Sequence, residues 1–173
     1  MAELPDHLDV GRHRDVSFRG ELVARWVVLG LLAALAIIAL LGVLGQTARE
    51  SRASAAAAEL EISAPEHVRG GLFFQGRFTV DARAPLENAT LVLDQGWLEN
   101  MHINTIEPAP AEEASRDGDL ALSFGPLAEG DRLVVYMQFQ VNPTNVGRRS
   151  ADVTLYDGDT EIVTIDRTLT VFP

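Results

Sequence analysis

Residues 26–45, WVVLGLLAALAIIALLGVLG, carry no charged side chain. As a helix rising about 1.5 Å per residue, such a run is roughly 30 Å long, the thickness of a bilayer's hydrocarbon core. Trp26 stands at one edge, where an indole prefers the headgroup region, and Arg25 on one side with Gln46 and Arg49 on the other set polar limits. A cleavable export signal has a shorter apolar core, about 7–15 residues, and the small-residue run ASAAAA at 53–58 lies well past the block where cleavage would be needed. No partnering helical pattern elsewhere would bury this segment inside a soluble core. The sequence therefore predicts a retained transmembrane helix over residues 22–46, with the lipid bilayer as its partner.

Arginine placement predicts the orientation. Arg12, Arg14, Arg19 and Arg25 precede the run, while only Arg49 and Arg52 follow it closely. The richer side stays cytoplasmic, so the amino-terminal end is expected inside and residues 59–173 outside. Small residues recur at Gly30, Ala33, Ala36, Ala39, Gly42 and Gly45. Small side chains let helices approach closely in lipid. A three-residue step turns about 300°, however, so the row drifts around the helix and only Ala36 to Gly42 share a face.

Residues 1–21 are polar and hold too little apolar surface for a core, which predicts a disordered cytoplasmic tail with His7 and His13 solvated. Beyond the span, residues 47–58 (TARESRASAAAA) contain nothing that breaks a helix, and alanine is the best helix former. The expectation is an alanine-rich stalk that continues the membrane helix outward.

From Glu59 onward, 19 acidic residues face eight arginines, which accounts for the whole net charge of −11. Attraction to nucleic-acid phosphates is excluded as a function class by that balance. Cysteine is absent, so neither a disulfide framework nor a thiolate metal site supports the fold. Every basic residue is arginine and alanine is abundant, a bias in keeping with a bacterial genome rich in G and C.

In residues 59–173 the hydrophobic period changes to two, the signature of half-buried strands. The run DRLVVYMQFQV places Leu133, Val135, Met137, Phe139 and Val141 on one face and Val134, Tyr136, Gln138 and Gln140 on the other. Similar alternation occurs in GLFFQGRFTVDA, NATLVLDQ, GDLALSFG, ADVTLY and EIVTIDRTLTV, with a first strand around Leu60 and Ile62 and a weak one in MHINTI. Asp157-Gly158, GPLAEGD and NPTNVG separate them as turns. About eight strands with no intervening helix predict an all-β, two-sheet antiparallel sandwich.

The stretch FGPLAEGDRLVVYMQFQVNPTNVGRRSADVTLYDG resembles the immunoglobulin-like modules of bacterial envelope proteins, through Gly125, Leu127 and Gly130 before a long strand, then Asn142, Gly147 and a final strand pair. It departs from them in having no cysteine pair, in placing Trp97 at a strand end beside Gly96, and in being a single module. The resemblance implies an immunoglobulin-like sandwich and a role in adhesion, scaffolding or complex assembly, with no active site.

The search for chemistry yields no motif. His67 and His102 lack the further ligands a metal site needs. Asp157 and Asp159 lack the remaining oxygens of a calcium loop, and Glu112, Glu113, Asp117 and Asp119 read as a solvated loop after Pro108 and Pro110. No serine lies in a G-x-S-x-G context, and no phosphate-binding glycine loop appears. Asn88-Ala89-Thr90 matches a glycosylation triplet of the kind that arises often by chance. Catalytic residues, cofactors and metal ligands are therefore assigned as none.

Two surface features remain. Arg148 and Arg149 follow the Asn142–Gly147 turn. If strands alternate up and down, that turn faces the membrane and each arginine adds about 1 kcal/mol of attraction to anionic headgroups; the plainer reading is two solvated arginines. Tyr136, Gln138 and Gln140 form a strip suited to protein contact. The expectation is a single-pass bacterial inner-membrane protein whose outer sandwich binds another membrane or envelope protein. The alternatives are a ligand sensor using the Trp97–Asp119 segment and an envelope hydrolase.

Overall fold

The computed structural model describes residues 18–41 and 46–173. The chain divides into two compact units, residues 1–43 and 44–173. In the first, helix α1 spans Phe18–Leu40. Its window Gly20–Leu40 is long and apolar enough to cross a membrane and is entirely unburied. The helix begins four residues before the expected Leu22, taking Phe18–Glu21 from the segment assigned to the tail. Residues 1–17 of that tail, and Gly42 and Gly45 of the small-residue row, lie outside the described residues.

The second unit is an antiparallel β-sandwich, as the alternation implied, and of the immunoglobulin-like class, as the resemblance implied. In chain order its strands are β1 (Ala48–Ser54), β2 (Ala58–Pro65), β3 (His67–Arg69), β4 (Phe73–Ala82), β5 (Ala89–Leu93), β6 (Met101–Glu107), β7 (Glu112–Arg116), β8 (Asp119–Ser123), β9 (Arg132–Val141), β10 (Gly147–Ser150), β11 (Val153–Asp157), β12 (Thr160–Ile165) and β13 (Thr168–Phe172). One sheet runs β1-β2-β4-β9-β6 and the facing sheet runs β12-β11-β5-β8-β7. A third, small sheet, β10-β13-β3, contains the one parallel pairing among the described strands, β13 with β3.

The inward positions are those the period of two selects. Leu60, Ile62, Phe78, Val80, Val135, Met137 and Phe139 from the first sheet pack into one core with Leu91, Leu93, Leu122, Val153 and Leu155 from the second. Val68, Leu169 and Val171 of the small sheet join the same core.

Residues 47–58 are not a helical stalk. Ala48–Ser54 pair with β2 from Ala48↔Pro65 to Ser54↔Glu59. The hairpin closes through the Ala55 N–H donating to the Ala58 carbonyl at 2.9 Å. Helix propensity is overridden because β2 presents an otherwise open row of backbone groups. Ala53 and Ala57 also pack against the core, and Arg52 reaches Glu61 at 3.0 Å.

The acidic segment after Pro110 differs from expectation too. Glu112–Arg116 form β7, hairpinned to β8 through Asp117 (φ 53°) and Gly118 (φ 96°). The run EIVTIDRTLTV is two strands: at Asp166-Arg167 the chain leaves the second sheet for the small one.

Candidate binding surfaces

Strand β9 carries Tyr136, Gln138 and Gln140. Val135, Met137, Phe139 and Val141 are buried, Tyr136 and Gln138 are exposed on the outer side, and Gln140 is half-buried. The register widens this strip into a surface. Gln138 lies between Gln75 of β4 and Thr105 of β6, and Gln140 between Phe73 and His102. Tyr136 lies between Arg77 and Glu107. Phe73, Gln75, His102, Thr105, Gln138 and Gln140 thus form a field free of carboxylates and arginines at one end of the outer face.

The rest of that face is a ladder of opposite charges. Arg77 meets Glu61 at 3.1 Å and Glu50 at 3.7 Å, Arg52 shares Glu61, and Arg83 pairs with Glu59. Arg132 donates to Asp81 at 3.0 Å, and this pairing holds its guanidinium above the ordinary arginine value. Such exposed pairs contribute about 0–1 kcal/mol each, so they define charge pattern more than stability. Tyr136, Arg77, Thr79, Val134, Arg132 and Glu61 line a shallow depression of about 190 Å³ where field and ladder meet.

Arg148 and Arg149 are split by the pleat of β10. Arg148 is exposed, level with Thr170 and His67 on the outside of the small sheet. Arg149 turns the other way, with only 11% of its side chain exposed. It donates to the Glu99 carbonyl at 2.7 Å and to the Asn145 side-chain oxygen. Asn145 in turn donates to the Glu99 and Asn100 carbonyls at 3.2 Å each. Arg149 therefore fixes the Asn142–Val146 loop to the turn before β6, and of the two arginines only Arg148 faces outward.

Arg148 lies on the wall of an open cleft of about 1110 Å³ with Glu66, His67, Asp152, Asp166 and Arg167. Arg167 is 94% buried, and sequence reading overlooked it together with Glu66, Asp152 and Asp166. Its Nη1 donates to the Ser51 hydroxyl at 2.6 Å and its Nη2 to the Ala64 carbonyl at 2.7 Å. Burial lowers its affinity for the proton, with Glu66 acting in the opposite direction. The available signal was a charged pair, Asp166-Arg167, interrupting an otherwise strand-like alternation.

The other flagged residues serve locally. His67 stacks on Phe172 at 5.7 Å between ring centres, and His102 is exposed on β6. Asp157 accepts from the Asn88 N–H at 2.8 Å, and Asp159 from Arg116 at 2.7 Å, so both shape the β11–β12 hairpin. The Asn88 amide lies 3.4 Å from the Ser123 hydroxyl and is half-buried. Among the described residues no three His, Asp or Glu side chains converge as a metal site. Ser51, Ser123 and Ser150 are engaged by Arg167, Thr90 and Asp152. On α1, Trp26 is 71% exposed and Gly30, Ala36 and Ala39 are exposed as well.

Neither a family profile nor a curated protein matches this sequence. Among solved structures the chain is similar to AvmM, which catalyses macrocyclization in alchivemycin A biosynthesis, at 10% identity and a TM-score of 0.47, over 75% of this chain and 97% of that one. It is also similar to the CARDB domain of a Pyrococcus furiosus protein at 13% identity and a TM-score of 0.44, over 69% and 97%. A non-cellulosomal cohesin from Archaeoglobus fulgidus aligns at 12% identity and a TM-score of 0.39, over 73% and 92%.

Proposed function

We propose that this is a single-pass protein of a bacterial inner membrane, with its amino-terminal end inside and its sandwich outside, that binds another membrane or envelope protein through the outer face of the β1-β2-β4-β9-β6 sheet. The observation that carries the reading is Tyr136. It stands 41% exposed on a strand flanked on both sides, between the field of Gln75, Gln138 and Gln140 and the arginine–glutamate ladder. Tyrosine and arginine on a rigid, uncovered surface are the side chains that most often dominate binding at protein interfaces. The unburied apolar helix and the four-to-two arginine asymmetry around it support the anchoring half. The segment of the ligand-sensor alternative, Trp97–Asp119, consists of a buried Trp97 followed by strands β6 and β7.

The test is site-specific photocrosslinking of the full chain in cells. A crosslinker at Tyr136 or Gln138 is expected to give one discrete adduct with an integral membrane or envelope protein, absent when the crosslinker is at Glu113 on the opposite sheet. A reporter fused after Pro173 is expected to be active only outside the cytosol. Equal labelling from both sheets, or a reporter active inside, overturns the proposal.

A further inference from the structure

We infer that the end of the sandwich nearest Gln46 is a lipid-interface tip, in which Leu72, Phe73, Val146 and Phe172 enter the headgroup region and Arg69 and Arg148 meet anionic headgroup phosphates. The inference rests on the membrane-anchored reading above and adds an orientation to it.

Strand β4 runs from Phe73 to Ala82, about 30 Å at a rise of about 3.3 Å per residue, so these residues mark opposite ends of the domain. The chain comes into the sandwich at the Phe73 end. The two ends of the Gln46 side-chain amide lie 3.0 Å from the Phe73 carbonyl oxygen and 3.2 Å from the Arg69 backbone nitrogen. Among the described residues of this unit, five large apolar side chains are exposed: Leu72 (48%), Phe73 (52%), Tyr136 (41%), Val146 (56%) and Phe172 (43%). All but Tyr136 lie at this one end.

They are joined there by the backbone. The Gly70 N–H donates to the Phe172 carbonyl at 2.8 Å, and the Val141 N–H donates to the Leu72 carbonyl at 3.0 Å. The pairing Gly147↔Val171 brings Val146 level with Phe172. A Cβ on Gly70 would lie 2.9 Å from the Pro143 carbonyl oxygen, so the Gly70-Gly71 turn and the Asn142–Val146 loop are pressed together.

A contiguous apolar patch of this kind marks a contact surface, and three observations select lipid as what covers it. The charge-free run ends at Gly45, immediately before Gln46. Even fully extended, the chain from Leu41 to Gln46 reaches only about 18 Å. In a domain with 19 acidic residues and eight arginines from Glu59 onward, the exposed charges framing the patch include Arg69 and Arg148, while Glu66 and Glu99 face Arg49 and Arg149 at 3.7 and 3.5 Å. Apolar side chains flanked by Arg69 and Arg148 fit the boundary between acyl chains and phosphates. With this end in the interface, the strands stand away from the membrane and the Tyr136 face looks sideways, toward neighbours in the same bilayer.

The absence of cysteine makes one introduced thiol unique. The full chain, purified and reconstituted in phosphatidylcholine–phosphatidylglycerol vesicles, is labelled with an environment-sensitive fluorophore at Leu72→Cys, Val146→Cys or Glu129→Cys, the last in the loop at the Ala82 end. The tip labels are expected to be blue-shifted, quenched by nitroxide lipids, and at least about threefold less quenched by aqueous iodide than the Glu129→Cys label. If the protein floats with the vesicles but all three labels quench alike in iodide, the tip is overturned while anchoring survives. Shielding from iodide without nitroxide quenching means that a second copy covers the patch, and also overturns it. A chain that does not float with vesicles removes the anchored reading and the tip together.

Discussion

Nη2 of Arg167 donates to the backbone carbonyl of Ala64 at 2.7 Å, tying the start of β13 to the end of β2. The same guanidinium holds Ser51 of β1, and the Arg167 N–H is bound by Asp152 at 2.7 Å. Replacing a buried ion with an apolar side chain can be neutral when its partner is replaced with it. Here one partner is a main-chain carbonyl, which no side-chain substitution removes. Arg167→Met is expected to cost about 2–4 kcal/mol. Arg167→Lys, which keeps the charge but not the two-pronged reach, should lose less. Urea unfolding of the detergent-solubilised chain, followed by far-ultraviolet circular dichroism, measures both.

Trp97 occupies the core at 1% exposure because Asp94 caps the turn before it, accepting from the Gly96 N–H at 2.8 Å. Its ring meets Phe78 edge-on at 5.5 Å and Phe139 at 5.1 Å, and its Nε1–H donates to the Ala151 carbonyl at 3.0 Å. Trp97→Phe keeps an aromatic ring but strands that carbonyl, for an expected loss of about 1–3 kcal/mol. Gly96→Ala should be worse. Its Cβ would fall 1.6 Å from the Ser150 carbonyl oxygen, so β10 must move away, at a cost of about 3 kcal/mol or more. Comparable unfolding midpoints for Gly96→Ala and wild type would refute this packing.

Asp119 carries a raised pKa, chiefly from desolvation and then from the nearby Asp94 carboxylate, with the Gln95 N–H acting in the opposite direction. A carboxyl whose folded value exceeds its unfolded one binds more protons in the folded state. Its contribution is therefore fully present at low pH and is lost as pH rises through the folded value. Asp119→Asn keeps an oxygen acceptor for Gln95 and removes the titration. Relative to this variant, wild type is expected to lose stability as pH is raised from about 3 to 7. Urea midpoints across that series should diverge upward in pH; parallel curves would contradict it.

The sandwich was legible wherever one face of a strand is buried, because alternation then records the pleat. Val135, Met137 and Phe139 inward against Tyr136 and Gln138 outward is the clearest case. Legibility failed where pairing is made by backbone alone. β1, β7 and β10 are edge strands of polar composition, and their side chains carry little apolar signal. Arg148 and Arg149 looked like one feature because adjacency along a chain is visible, whereas the alternation of β10 that separates them is set by pairing with Thr170 and Leu169 of β13. The apolar tip escaped notice for the same reason: Leu72, Phe73, Val146 and Phe172 come together only through the folded register.

The hairpin of β1 and β2 yields the last prediction. A helical stalk over residues 47–58 would have been a rod about 18 Å long, whereas the strand pairing uses those residues inside the domain. Hydrogen exchange on the full chain should show protected amides within 48–54, with protection coupled to β2. Ala53 is the lever, since of the two half-buried residues of β1, Ser51 and Ala53, it is the one packed against the apolar core. A carboxylate there meets apolar surface, so Ala53→Asp is expected to release β1, speeding its exchange by at least tenfold for a destabilisation of about 1.4 kcal/mol or more. Strand β2 should stay protected in that variant, because β4 still pairs with it from Ala58↔Ala82 to Ser63↔Arg77. Uniform acceleration across β1, β2 and β4 would mean that β1 is integral to global folding, and unprotected 48–54 amides in wild type would return the segment to a stalk.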